Sequence, residues 1–185
     1  MRLFVSVDLP DGLASAVADL QAEFEDASGL SFTDPEQAHL TLKFLGDVEA
    51  ACLPELEAEL AAAVDESEIG PFDARFEGLG VFPEMEYITV VWLGVSAGGD
   101  ELQRLHETIE DRTTAMGFEP EPHEFTPHVT LARMDHAGGK ELVQEVVRER
   151  DPTVGESRVE AVRLTESRLE REGPVYETVA SFALG

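Results

Sequence analysis

Basic charge and sulfur are what this sequence has least of. One cysteine, Cys52, leaves no partner for an intramolecular disulfide and places the chain in a reducing compartment. There is no HExxH, no His-x-His and no cysteine cluster, so the ligand spacings that build a zinc centre are missing and no metal is expected. No apolar run is long enough for a bilayer: the longest, YITVVWLGV at 87–95, stops at nine residues where ~20 are needed. The opening MRLFVSVDLPD reaches Asp8 too early for a signal peptide. A cytoplasmic protein without membrane attachment is the expectation.

Acid, by contrast, is abundant. Thirty-nine acidic residues face 13 basic ones, for a formal net charge of −26, and only Lys43 and Lys140 are lysines. The acids are spread along the chain and alternate with apolar residues, which excludes an acidic tail and a disordered chain. A folded domain with this much self-repulsion suits concentrated salt, where at ~1 M the Debye length is ~3 Å. A salt-loving source is therefore expected. At 185 residues with 43% apolar content, the chain fits one domain, 1–185, with a real core and a monomer as the default state.

The periodicities give an α+β domain. LFVSVDL (3–9) reads as a strand ending at Pro10, and Asp11 is placed to cap a helix carrying Leu13, Val17, Leu20 and Phe24. HLTLKFLG (39–46) is a strand, followed by a helix with Pro54 in its first turn and Leu53, Leu56, Leu60 and Val64 as its stripe. From Tyr87 the order repeats. YITVVWLGV precedes a Gly98-Gly99-Asp100 turn and a helix bearing Leu102, Leu105, Ile109 and Met116. HVTLARM (128–134) is again a strand, and Gly138-Gly139 precedes a helix with Leu142, Val143, Val146 and Val147. FDARFEGLGVF (72–82) lies between the halves, and SRVEAVRLTESRL (157–169) and PVYETVASFAL (174–184) follow them. The chain thus reads as two strand-helix-strand-helix halves, a crude internal repeat.

The repeat carries chemistry. Both halves place His-apolar-Thr-Leu in the second strand: His39 and Thr41, then His128 and Thr130. Alternation puts His39, Thr41 and Lys43 on one face and Leu40, Leu42 and Phe44 on the other. Two imidazoles on either side of one substrate suit transfer at phosphorus, because a reference pKa of ~6.5 keeps acid and base forms both accessible near neutrality. A threonine hydroxyl can donate to a non-bridging phosphate oxygen. His106, within a helix, and His136, in a turn, are expected to be solvent-exposed.

On these residues the chain resembles the 2H phosphoesterases, and within them the RNA 2′,3′-cyclic phosphodiesterases also described as 2′-5′ RNA ligases. The likeness runs through RLFVSVDLP, QAHLTLKFLGDV, VVWLGV, FTPHVTLAR and LTESRLEREGPVYETVASFAL. It implies a two-lobed, pseudo-two-fold fold with antiparallel sheets flanked by helices and a central cleft. It also implies cofactor-free hydrolysis of a 2′,3′-cyclic phosphate at an RNA 3′ end. His39 would be the proton donor, His128 the proton acceptor, and Thr41 and Thr130 the phosphate ligands. Lys43, Arg133 and Phe125 are possible substrate contacts, although strict alternation sets Arg133 opposite His128 unless the strand bends after Leu131. Ser167 and Tyr176 belong to the tail, as structural or cleft-lining residues. RNA binders usually carry basic surfaces, so an acidic chain is expected to recognise one terminal phosphate rather than a long RNA track. The alternatives are 2′-5′ ligation, hydrolysis of another cyclic or 2′-5′ phosphodiester, and a non-catalytic module that binds RNA ends.

Overall fold

The computed structural model describes residues 1–185. Nine strands, β1 (Arg2–Asp8), β2 (Leu30–Phe32), β3 (His39–Asp47), β4 (Phe72–Glu84), β5 (Tyr87–Ala97), β6 (His128–Met134), β7 (Thr153–Val159), β8 (Ala161–Glu170) and β9 (Gly173–Ala183), alternate with four helices. The helices are α1 (Ala14–Ala22), α2 (Leu53–Ser67), α3 (Gly99–Ala115) and α4 (Lys140–Glu149). The strands join in the order β7-β4-β5-β6-β3-β1-β8-β9, with β2 added to β6, and every pairing is antiparallel.

The two motif strands, β3 and β6, are neighbours at the centre of this order, and a single residue pair, Leu40 with Val129, joins them. The sheet therefore consists of two lobes, one ending in β3 and the other in β6, hinged at one pair. Leu40 and Val129 are both fully buried. Truncating Leu40 to alanine would cost about 2–5 kcal/mol at the joint between the lobes.

The repeat is crossed over in space. Helices α2 and α3 pack on the β3 lobe, whereas α1 and α4 pack on the β6 lobe. Each half thus lends its first helix to the motif strand of the other half. One cluster of 27 buried residues runs through both lobes and includes Leu42, Leu131 and the helix stripes Val17, Leu20, Leu56, Leu60, Leu105 and Ile109. A smaller cluster under α4 holds Phe24, Ala27, Ile88, Val91 and Val143.

Two local expectations change, and one short strand was not anticipated. Asp11 caps nothing: Pro10 precedes a 3-10 turn at Asp11–Leu13, and α1 begins only at Ala14. SRVEAVRLTESRL divides at Glu160, because β7 pairs with β4 at one edge while β8 crosses to β1 in the other lobe. The three-residue β2 is too short to show a period in the sequence.

Candidate active site

Leu40 and Val129 point to the helix side, so the residues flanking them point to the opposite face. Extending their antiparallel register sets His39 across from Thr130 and Thr41 across from His128. In that register each histidine lies opposite the threonine of the other motif. All four side chains are half-buried.

The two imidazoles are held in the same way. Nδ1 of His39 lies 3.1 Å from the carbonyl of Gln37, and Nδ1 of His128 lies 2.6 Å from the carbonyl of Thr126. A carbonyl only accepts, so Nδ1 carries the hydrogen in both rings. Nε2 is left to accept a proton when the ring is neutral and to donate one when it is charged. Aromatic rings fix the planes. His39 lies 4.8 Å from Phe4 and 5.0 Å edge-on from Tyr176. His128 lies 4.9 Å edge-on from Phe82 and 5.9 Å from Trp92. Trp92 can lie flat there because its neighbour on β4 is Gly80, where any Cβ would run into the indole.

Burial holds both imidazoles below their ordinary pKa, against the opposing pull of the two carbonyl bonds. The charges around them differ. Asp8, paired with His39 across β1 and β3, favours the protonated form of His39, while the Arg133 guanidinium disfavours it. At His128 both Arg133 and the charge of His39 disfavour protonation, and no carboxylate offsets them. Burial also raises the Tyr176 phenol, with Arg133 acting in the opposite sense.

Arg133 thus reaches the histidines even though simple alternation puts it on the far face. A β-bulge does this. Val91 pairs with Ala132 and Trp92 with Thr130, so Leu131 is an extra residue in β6. The first motif has the same device: Val5 pairs with Lys43 and Ser6 with Thr41, leaving Leu42 extra in β3. After each bulge two consecutive residues are buried, and the third returns to the cleft face. That third residue is Phe44 in β3 and Arg133 in β6.

The bulge overturns two sequence expectations on β3. Lys43 does not share the face of His39. Its buried ammonium points to the helix side, 2.9 Å from Glu110 Oε2 and 2.5 Å from the carbonyl of Glu119. Phe44, assigned to the core by alternation, is 58% exposed and lies 6.0 Å from Phe4. Phe125 is not free for a base either, since it stacks on His106 at 4.2 Å and 7°. His106 is buried rather than exposed, with Nδ1 2.8 Å from the carbonyl of Leu42. His136 stays at the surface.

Sequence reasoning missed Gln37 entirely. Its carbonyl accepts from His39, its amide nitrogen donates to the carbonyl of Pro174 at 3.0 Å, and its amide oxygen accepts from the Tyr176 N–H at 3.1 Å. One residue thereby ties the β8–β9 hairpin to the first histidine. A lone glutamine ahead of a strand gives no periodic signal. A cavity of about 170 Å³ lies in this corner, lined by Phe4, Asp8, Gln37, His39, Thr165 and Tyr176 among others. No helix of the protein is long and apolar enough to cross a membrane.

The family model described as the 2′-5′ RNA ligase superfamily matches residues 9–170. The RNA 2′,3′-cyclic phosphodiesterase of Aeropyrum pernix is 40% identical over 147 residues, covering 79% of this chain and 81% of that one. The protein of the same name from Methanothermobacter thermautotrophicus is 34% identical and covers 100% of this chain and 99% of its own. Among solved structures, TT0787 of Thermus thermophilus superposes with a TM-score of 0.80 at 30% identity, covering 100% of this chain and 98% of that one. With the motif match extending over most of its length and relatives this similar, the chain belongs to the 2′-5′ RNA ligase superfamily of 2H phosphoesterases.

Proposed function

We propose that this protein is an RNA 2′,3′-cyclic phosphodiesterase that opens the cyclic phosphate at an RNA 3′ end to a 2′-phosphomonoester, using His39 as general acid and His128 as general base. One observation carries the reading. Both imidazoles are pinned through Nδ1–H to a carbonyl two residues upstream, which leaves two Nε2 atoms and two threonine hydroxyls on the same cleft face.

In this mechanism Nε2 of neutral His128 takes a proton from water as the oxygen attacks phosphorus. The bond from phosphorus to O3′ breaks, and Nε2–H of charged His39 delivers its proton to O3′. The phosphate remains on O2′. Thr41 and Thr130 donate to the non-bridging oxygens, whose charge grows in the transition state. The neighbouring charges support this assignment over its reverse: Asp8 favours the protonated form of His39, whereas no carboxylate does so at His128. Arg133, set on the cleft face by the bulge, supplies positive charge for the phosphate. Acid, base and charge stabilisation are thus all side chains, and no metal is assigned a role.

The same reading takes residues 1–185 as one two-lobed domain, a cytoplasmic monomer whose binding energy comes from the terminal phosphate and not from a basic track. The test is turnover of an oligonucleotide ending in a 2′,3′-cyclic phosphate, at molar KCl with EDTA, with the product phosphate located. A 2′-phosphate is expected. A folded protein with no turnover would remove the assignment, and a 3′-phosphate product would reverse the geometry of attack.

A further inference from the structure

We propose that Gln21 and His106 are a reciprocal pair of positioning residues: each, from the first helix of one half, holds the bulge in the motif strand of the other half. The inference rests on the function proposed above and extends it to residues that never touch substrate.

The equivalence is visible in the helices. Gln21 is the eighth residue of α1 and His106 the eighth of α3. In both helices the fourth and seventh residues, Val17 and Leu20 or Leu102 and Leu105, are buried aliphatics. The eighth is polar, and in both it is 7% exposed. A buried polar side chain on a core-facing stripe needs a partner, and both partners are the same kind of atom. His106 Nδ1 lies 2.8 Å from the carbonyl of Leu42, and Gln21 Nε2 lies 3.0 Å from the carbonyl of Leu131. Those are the two bulge residues.

The position explains the need. β3 and β6 share only the Leu40–Val129 pair, so beyond it their facing edges supply no ladder bonds to one another. The Leu131 carbonyl also takes the Thr33 backbone N–H at 3.1 Å, and Gln21 Nε2 bridges on to the Thr33 carbonyl at 2.8 Å. On β3 no short strand fills the equivalent place, and His106 does so alone from α3. His106 reaches the second motif as well, because it stacks on Phe125, whose neighbour Thr126 accepts from His128.

The consequence for chemistry follows from strand period. Each bulge residue sits between the phosphate-facing threonine and the residue that returns to the cleft. Without the bulge, alternation would turn Lys43 and Ala132 toward the cleft and Phe44 and Arg133 away from it. The two donors thus aim Thr41 with Phe44, and Thr130 with Arg133.

The experiment compares wild type with His106→Leu, His106→Asn and Gln21→Met. Turnover of the cyclic-phosphate oligonucleotide is measured, and the His39 and His128 imidazoles are titrated by NMR. His106→Leu and Gln21→Met are expected to lose about 10- to 100-fold in kcat, the scale of a small misplacement of catalytic groups, with KM changed much less. His106→Asn, whose amide nitrogen stands where Nδ1 does, is expected to recover most of that loss. In Gln21→Met both imidazole pKa values are expected to rise, since Arg133 lowers both and would turn away. In His106→Leu the residue that turns away is the uncharged Phe44, so no such rise is expected. Should His106→Leu fail to fold, His106→Gln, whose amide reaches one bond too far, carries the same expectation. Wild-type kcat in both donor-less variants overturns the inference. So does a loss that asparagine leaves unrepaired, or unshifted imidazoles in Gln21→Met. An inactive wild type whose imidazoles still respond to Gln21→Met would instead remove the proposed function and leave the pair standing.

Discussion

Around His39 the cleft is aromatic and carries an acid: Phe4 and Tyr176 flank the ring, Phe44 stands exposed beyond the bulge, and Asp8 sits across the ladder. Around His128 the rings are Phe82 and Trp92, the residue beyond the bulge is Arg133, and no carboxylate favours the charged imidazole. The scaffold is the same in both, down to the carbonyl two residues upstream of each histidine. Equal scaffolds with unequal charge are what an acid–base pair requires, because two identical histidines would share a proton without preference. Pairs whose environments push their protonation apart identify acid and base roles.

The largest effects should come from breaking the pair itself. His39→Ala and His128→Ala are each expected to lower kcat by about 10²- to 10⁴-fold on cyclic-phosphate RNA. The two losses should separate on an analogue with a phenol-like leaving group, which needs no protonation: His39→Ala regains most of its rate there and His128→Ala does not. Equal recovery of both variants would undo the assignment of roles.

Next in size is the residue that distinguishes the lobes. Arg133→Ala is expected to weaken kcat/KM by about 10-fold or more through the lost charge on phosphate. It should also move the bell-shaped pH profile toward alkaline pH, because Arg133 now lowers both histidines. Phe44→Ala should leave the profile in place. A profile that moved with Phe44 and not with Arg133 would reverse the comparison.

A smaller effect, on stability alone, is expected on the helix side of the first bulge. Lys43→Met leaves Glu110 without its ammonium partner, but that carboxylate keeps the Glu121 N–H and is partly solvated. A loss of about 1–3 kcal/mol by denaturant titration is expected, with KM unchanged. A large rise in KM would return Lys43 to the cleft.

The smallest effect is the pH dependence of folding. Both histidines have folded pKa values below the unfolded value of ~6.5, so in the window below it the unfolded chain binds more protons than the folded one. Their contribution to stability is present above that pH and declines as pH falls through the folded values. Denaturation midpoints between pH 7 and 5.5 should therefore fall more in wild type than in the His39→Ala, His128→Ala double variant. Parallel slopes would show that the imidazoles are not buried as described.

The strands and helices of both halves were legible because their apolar residues keep strict periods, and the paired motifs because His and Thr recur in register within them. Lys43 and Phe44 were not correctly placed, and Arg133 was placed only on condition of a bend after Leu131, since an extra residue at Leu42 in β3 and at Leu131 in β6 inverts the face assignments that directly follow it, and a bulge leaves no mark in composition. His106 was misjudged for a related reason: a polar residue on a helix reads as solvated until the carbonyl it serves is known. Gln37 acts through contacts with Pro174 and Tyr176, far away in the chain.

Sequence alone determined which groups are available, two imidazoles and two hydroxyls on apolar strands, because local period decides which side chains can share a face. Tertiary structure alone decided which of them lie opposite one another, which charges stand beside each histidine, and where Arg133 points. Those depend on the single Leu40–Val129 joint, on two bulges held from opposite helices, and on charges brought close only by folding.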